Sequence, residues 1–536
     1  MFSDASSAFR DFYRRKIGLR DPFVLSHVSG HFIRKQLLSL NPKKAVGLDD
    51  ISSLFLRDGA ESIIDPVKHI INLSITTELV PVGFKQARVL PLYKKGSRVE
   101  AGNYRPVSVL SVLSKVLERA VHKQLGEYLA KRDLLYKNQS GFRGSYSTDT
   151  CLVGLTDYIK GEMGKGSLVG LVLMDLQKAF DTVDHRILLD KLESMGVSSV
   201  SWFRSYLEGR CQCVEVDGVR SSFEAIDCGV PQGSILGPLL FLVYVNDMHL
   251  SVNCRLSLYA DDSALVFSHS DPVVIGDSLS AELSNCREWL IDNRLTLHMG
   301  KTECILFGTG QRLARVRDFR ITCAGTAVSQ VSLVKYLGVK LDKRLKFTDH
   351  VKEVIKKCAG RIGFLYRHSG SLDFNCRKIL CNSLVQPYLD YCCMSWYSSI
   401  TKELRNRLDV IQRRLVRFVF SMDRMGHVDL RDLGRLSWLS VPDRVRFFKL
   451  SMAFRIRAGT APAYLSSGFV PLNASHEHNT RRSSSNYRVS REMANSPRSF
   501  AFTAVNQWNE LPSSLQHLTS LGTFRSRLKQ HLFSSY

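Results

Sequence analysis

Apolar residues recur at helical spacing from Gly47 to Ile75. They do so again over residues 109–130, with Val109, Val112, Leu113, Val116, Leu117 and Val121 on one face. Residues 1–40 mix polar and apolar positions and fit short helices. Arg88-Val-Leu-Pro-Leu-Tyr93 reads as a strand, closed by Lys94-Lys-Gly-Ser97. From about residue 166 to 345 strand-like runs dominate with helices between them, which predicts an α+β core. Leu168–Met174 is wholly apolar, and its length and branched residues favour a buried strand over a helix. Arg255–Phe267 reads as two short strands flanking a tight turn. After Lys346 the pattern is helical. Leu404, Leu408, Ile411 and Leu415 form an apolar stripe there, and Arg413, Arg414 and Arg417 lie on the far side of the same helix. Residues 474–498, rich in Ser, Asn and Arg, are expected to be flexible, ahead of a short final unit containing Trp508.

The longest apolar run, Gly237 to Val245, falls well below the roughly 18 residues that suggest a membrane span. The first residues lack a signal-peptide pattern, so neither membrane insertion nor secretion is expected. The 536 residues allow roughly three to four modules of ordinary globular composition. Charge changes the picture. Of the formal net +24, residues 341–536 carry +18, with 32 Lys and Arg against 14 Asp and Glu. So basic a C-terminal third points to a polyanionic partner, most commonly nucleic acid, although a merely solvated surface has the same composition. The thirteen cysteines are odd in number and scattered. Neither Cys211 with Cys213 nor Cys392 with Cys393 has a second pair at zinc spacing, so buried thiols in a reducing compartment are expected. His476 and His478 have no cysteine partner nearby and are not expected to bind metal.

The candidate chemistry lies in the strand-rich middle. Asp175 ends the apolar run, and Asp261 and Asp262 occupy the turn of the later hairpin. Adjacent carboxylates repel unless a cation compensates them. If strand and hairpin are sheet neighbours, three carboxylates converge at one sheet edge and could hold two Mg2+ ions roughly 4 Å apart for in-line phosphoryl transfer. Asp-Asp is also ordinary turn chemistry.

Around these residues the chain resembles reverse transcriptases. Tyr259-Ala-Asp-Asp262 looks like their catalytic hairpin, and Met174-Asp-Leu-Gln-Lys-Ala-Phe-Asp181 like their first metal motif. Asn103-Tyr-Arg-Pro-Val-Ser108 and Gln139-Ser-Gly-Phe-Arg143 resemble fingers motifs. Gly229-Val-Pro-Gln-Gly-Ser-Ile-Leu-Gly-Pro238 is similar to the loop supporting template and incoming nucleotide. Leu297–Glu303 looks like the next palm motif, and Lys335-Tyr-Leu-Gly-Val339 like the primer grip. Asn41–Ile51, Phe84–Gly96 and Trp508-Asn-Glu-Leu-Pro512 resemble the corresponding parts of non-LTR retrotransposon polymerases of the jockey and CR1 type. Such elements carry an upstream endonuclease. The start of this chain leaves no room for one, so a truncated copy or a partial gene model is expected, with an endonuclease supplied in trans.

The resemblance implies a right-hand polymerase with fingers over 1–165, palm over 166–342, a helical thumb over 343–460 and a basic flexible segment with a short C-terminal unit over 461–536. It implies Asp175, Asp261 and Asp262 as catalytic metal ligands for two Mg2+, with Mn2+ as a substitute. Phe180 takes the steric-gate position. Arg105, Lys115, Gln232, Gly233 and Lys301 are nucleotide-side candidates, with Lys301 a proton donor to pyrophosphate. Arg143, Tyr336, Leu337, Gly338, Arg413, Arg414 and Arg417 are primer and template candidates. Asp181 and Asp184 read as structural. The partners implied are an RNA template, a DNA primer or target DNA, and dNTPs, in a nuclear or cytoplasmic ribonucleoprotein. Three rivals stand beside this reading: a group II intron or retron polymerase, an RNA-dependent RNA polymerase disfavoured by Ala260 and Phe180, and an inactive or domesticated copy that only binds RNA or DNA.

Overall fold

The computed structural model describes residues 4–17, 21–472, 486–534 and 536. His476 and His478 lie outside them. The chain divides into two compact units, one built from residues 1–142, 175–253 and 284–298, the other from 143–174, 254–283 and 299–536.

In the first unit Gln86–Tyr93 is the hub of a five-stranded sheet. It pairs antiparallel with Tyr104–Val109 and parallel with Arg210–Val216, whose other edge takes the short strands Val219–Arg220 and Glu224–Ile226. The Gly47–Ile75 pattern resolves into two helices, Ser53–Asp58 and Ala60–Thr77, separated at Gly59. The pattern over 109–130 is a helix from Val112 to Lys131, and Val109 instead closes a strand. Both positions point inward, and an inward strand end is indistinguishable from a helical i, i+3 partner in a hydropathy pattern. The long apolar run is the buried helix Gly237–Tyr244, with Pro238 in its first turn, where a missing N–H costs nothing.

In the second unit Leu168–Met174 is the central strand of a sheet ordered Ser329–Gln330, Glu303–Phe307, Leu168–Met174, Asp262–His269, Arg255–Tyr259. Flanked on both sides, it buries all but Leu173, which is half-buried, as an unbroken apolar run should. The helix Thr148–Gly164, opened by a Ser147–Thr150 capping box, adds Leu152, Leu155 and Ile159 to the same core. So do the later helices Thr348–Arg367, Lys402–Phe420, Val441–Arg457, Phe500–Asn509 and Leu521–Phe533. Leu404, Leu408, Ile411 and Leu415 are all buried there, as their spacing predicts. Trp508 is fully buried in this core.

The segment expected to be flexible, 474–498, is in part a strand. Residues 473–485 lie outside the described residues, but Tyr487–Val489 pairs antiparallel with Phe469–Pro471. Asn509 brackets Tyr487, accepting its N–H at 3.1 Å and donating to its carbonyl at 2.7 Å. Polarity suggested flexibility because these partners come from distant chain.

One buried carboxylate ties the C-terminal helices to the sheet unit. Asp157 accepts the Phe500 and Ala501 backbone N–H groups at 2.7 and 2.8 Å, capping the Phe500–Asn509 helix. One turn on, Lys160 donates to the Ser395 and Arg498 carbonyls, and burial pushes its pKa down to about 8. Asp157→Ala leaves two helix N–H groups and a buried ammonium uncompensated. The expected loss is about 3–5 kcal/mol, read as a lowered unfolding midpoint in urea. An unchanged midpoint would show that the cap contributes nothing.

Most of the thirteen cysteines are buried. Among the described residues no helix is long and apolar enough to cross a membrane.

Candidate functional site

In the second unit the hairpin pairs Tyr259 with Asp262, leaving Ala260 and Asp261 as its two-residue turn. Ala260 has φ +56°, a left-handed conformation that costs a residue with a Cβ about 1–2 kcal/mol. Asp261 is half-buried and Asp262 exposed. The next residue, Ser263, pairs with Met174, so the Leu168–Met174 strand ends abreast of the turn. Asp175 is the next residue along the chain, and its carbonyl accepts the His298 N–H at 2.8 Å within the first unit. The hairpin thus offers adjacent carboxylates, the hard oxygen donors a divalent cation prefers. Among the described residues no three His, Cys, Asp or Glu side chains are drawn together as a metal cluster.

The first unit gathers most of the nucleotide-side candidates. Phe180 is half-buried, its ring stacked on Phe241 at 4.2 Å and meeting Phe142 edge-on at 6.0 Å. The Phe180 carbonyl accepts the Val230 N–H, and the Val183 carbonyl accepts the Gly229 N–H. Gln232 donates its side-chain amide to Asp181 at 2.9 Å, and its carbonyl accepts the Ser108 N–H at 2.8 Å. Gly233 has φ +139°, and a Cβ there would lie 2.3 Å from the Ser108 carbonyl oxygen, so only glycine fits. Asp184 caps the helix His185–Ser194 by accepting from Arg186 and Ile187, and it pairs with Arg294. Asp184 thus serves as a helix cap and ion-pair partner, and Asp181 as the acceptor that holds Gln232. Arg105 is exposed on its strand opposite Leu92. Lys115 is half-buried, and desolvation holds its pKa below the usual lysine value.

The remaining candidates lie in the second unit. Leu337 and Gly338, both at positive φ, form the two-residue turn between Leu333–Tyr336 and Val339–Asp342, the pattern of a hairpin turn. Tyr391 donates to the Leu337 carbonyl at 2.8 Å, and Tyr336 is buried with its hydroxyl 3.6 Å from Cys151 Sγ. Lys301 is exposed in a short 3-10 turn. The Arg143 guanidinium sits over the Tyr146 ring at 4.2 Å. The arginine face is uneven: Arg413 is exposed, Arg414 half-buried, and Arg417 donates Nε to the Gly426 carbonyl at 2.7 Å.

Two further residues escaped the sequence reading. Phe241, the platform under Phe180, looked like generic core. Glu118 is a buried carboxylate against the Gly229–Pro238 loop. Its spacing with Val121 and Leu125, three and seven residues on, was the available signal.

The reverse transcriptase (RNA-dependent DNA polymerase) family matches residues 92–341. The chain is similar to the probable RNA-directed DNA polymerase from transposon BS of Drosophila melanogaster, 30% identical over 400 residues, 72% of this chain and 44% of that protein. It is similar to the RNA-directed DNA polymerase from mobile element jockey of Drosophila funebris, 28% identical over 412 residues, 74% of this chain and 44% of that one. A third relative is the probable RNA-directed DNA polymerase from transposon X-element of Drosophila melanogaster, 25% identical over 386 residues, 70% and 42% of the two chains. This chain thus spans under half the length of each of these three relatives. With the hairpin, the apolar strand and the Gly229–Pro238 loop in place, residues 92–341 are a reverse transcriptase domain, similar to those of non-LTR retrotransposons such as jockey and X-element.

Proposed function

We propose that this chain is an RNA-directed DNA polymerase that adds deoxynucleotides to a primer 3′-hydroxyl on an RNA template, in service of retrotransposition. The observation that carries the reading is the strand register, which ends the Leu168–Met174 strand beside the Asp261–Asp262 turn. Asp175, Asp261 and Asp262 are the residues that would hold two divalent cations, Mg2+ or Mn2+. When bound, such ions activate the attacking hydroxyl and offset charge on the transferring phosphate.

The chain's own groups supply the rest. The Phe180 ring, held by Phe241, borders the sugar and excludes a 2′-hydroxyl. Gly233 lets backbone approach the nucleotide, while Arg105 and Lys115 offer positive charge to the triphosphate. Lys301 donates a proton to the leaving pyrophosphate. Arg143 and the Tyr336–Gly338 turn seat template and primer. In the right-hand description, fingers cover 1–165, palm 166–342, thumb 343–460, and the basic tail the remainder. The partners are RNA template, primer or target DNA, and dNTPs, within a nuclear or cytoplasmic ribonucleoprotein. The test is primer extension by purified protein on a heteropolymeric RNA template with magnesium and each nucleotide type in turn. Extension with ribonucleotides alone, or none, overturns the reading.

The arginine face of Lys402–Phe420 gives a separate expectation. Neutralising Arg413 and Arg414 should weaken binding equally for all sequences and lower the salt slope by up to roughly 0.9 per lost duplex phosphate contact. Neutralising Arg417, already engaged with Gly426, should lower it less. Binding titrations across salt concentrations measure it, and an unchanged slope in the Arg413 variant means that face is merely solvated.

A further inference from the structure

We propose that Glu118 is a positioning residue that fixes the Gly229–Pro238 loop and through it the affinity for the incoming nucleoside triphosphate. This rests on the polymerase reading above.

The loop is held along its length at three places, all within the first unit. Its start is tied by backbone, Gly229 to Val183 and Val230 to Phe180. Its middle is tied through Gln232, to the Asp181 carboxylate and the Ser108 N–H. Its end is tied by Glu118, whose Oε2 accepts the backbone N–H groups of Ile235 and Leu236. Leu236 is the N-cap of the helix Gly237–Tyr244 and has no capping side-chain hydrogen bond of its own. The one local hydroxyl, Ser234, is already committed, accepting from Gly237 and donating to Pro231. The carboxylate of a distant helix therefore does the work that a local Asp or Ser ordinarily does at a helix start.

Glu118 is 1% exposed, and burying a carboxylate is costly unless every lone pair finds a donor. Its other oxygen accepts the Tyr206 hydroxyl at 3.1 Å. Arg210, itself 2% exposed, adds compensating charge and donates to the Tyr206 carbonyl at 3.0 Å. Burial still pushes the Glu118 pKa up. A core helix gains nothing in packing from such a group that a leucine would not supply. What Glu118 adds is a fixed end for the loop, and Gly233 lies between that end and the tie that Gln232 makes to Asp181. Freed at Ile235 and Leu236, the loop keeps its first two ties but loses the register that presents Gln232 and Gly233. The Asp261–Asp262 hairpin is held by its own sheet.

The test compares Glu118→Ala, Glu118→Gln and Tyr206→Phe. Glu118→Ala should raise KM for dNTP about tenfold while kcat stays within about twofold, the split that marks lost binding rather than lost chemistry. Its KM for template–primer should not move. Glu118→Gln keeps an oxygen for both N–H groups and should return KM to near wild type. Tyr206→Phe, which keeps the Ile235 and Leu236 bonds to Glu118 but removes one of its donors, should raise dNTP KM less than Glu118→Ala does. Amide hydrogen exchange over residues 232–240 provides a readout independent of activity, fast in Glu118→Ala and protected in wild type and Glu118→Gln. If Glu118→Ala does not fold, Glu118→Met, closer in volume, takes its place with the same expectations. An unchanged dNTP KM, a failure of Gln to rescue, or unchanged exchange at Ile235 and Leu236 overturns the proposal. A wild-type chain that extends no primer overturns the polymerase reading and the nucleotide role with it, and the exchange data then decide whether Glu118 anchors the loop.

Discussion

Asp261→Asn should leave the protein folded and bound to primer–template yet unable to extend it at a useful rate. The residue sits in the turn of a hairpin whose register is set by Tyr259 pairing with Asp262 and by Ser263 pairing with Met174, and none of these ladder bonds uses its carboxylate. An isosteric amide removes the negative charge and one acceptor oxygen while keeping the side chain's shape. Losing one preorganised electrostatic element from a reaction centre typically costs on the order of 10²–10³ in rate, and a ligand serving both cations should cost more. Because the residues proposed to bind primer–template are basic groups elsewhere, the dissociation constant should stay within about twofold. Single-turnover extension and filter binding separate the two quantities. Near wild-type extension would place the chemistry at other residues.

How far the sequence carried depended on whether the forces at each place were local. The Arg255–His269 hairpin was legible because two apolar runs flank a turn-forming pair, and Leu168–Met174 because seven apolar residues in a row belong in a sheet covered on both sides. The register between them was not legible, since Met174 and Ser263 meet only after the intervening chain has folded. Arg417 was read with Arg413 and Arg414 from helical spacing alone, while its bond to Gly426 depends on where the chain turns after the helix. The polar stretch at 486–498 looked flexible for the same reason: Asn509 and Lys160 hold it in place from far along the chain. Glu118 was overlooked because a charged residue in a helix is ordinarily solvated, and only its three donors reveal otherwise.

Phe180→Val should convert a polymerase selective for deoxynucleotides into one that accepts both sugars. Phe180 lies five residues past Asp175, and its ring is fixed by stacking on Phe241 at 4.2 Å and an edge contact from Phe142 at 6.0 Å. A ring clamped in this way cannot swing aside to admit a 2′-hydroxyl. Overpacking of that kind costs about 1–3 kcal/mol. At about 1.4 kcal/mol per tenfold, this one contact supplies roughly ten- to a hundredfold discrimination. Valine opens the space, and the ratio of kcat/KM for the two sugars should fall by that factor while extension with dNTPs persists. Phe241 sharpens the test. Phe241→Leu leaves the Phe180 ring present but without its platform, so it should relax sugar discrimination part of the way. A ratio unchanged in both variants would make Phe180 a packing residue and place sugar selection elsewhere. A change on losing Phe180 but none on losing Phe241 would mean that the ring needs no support to act.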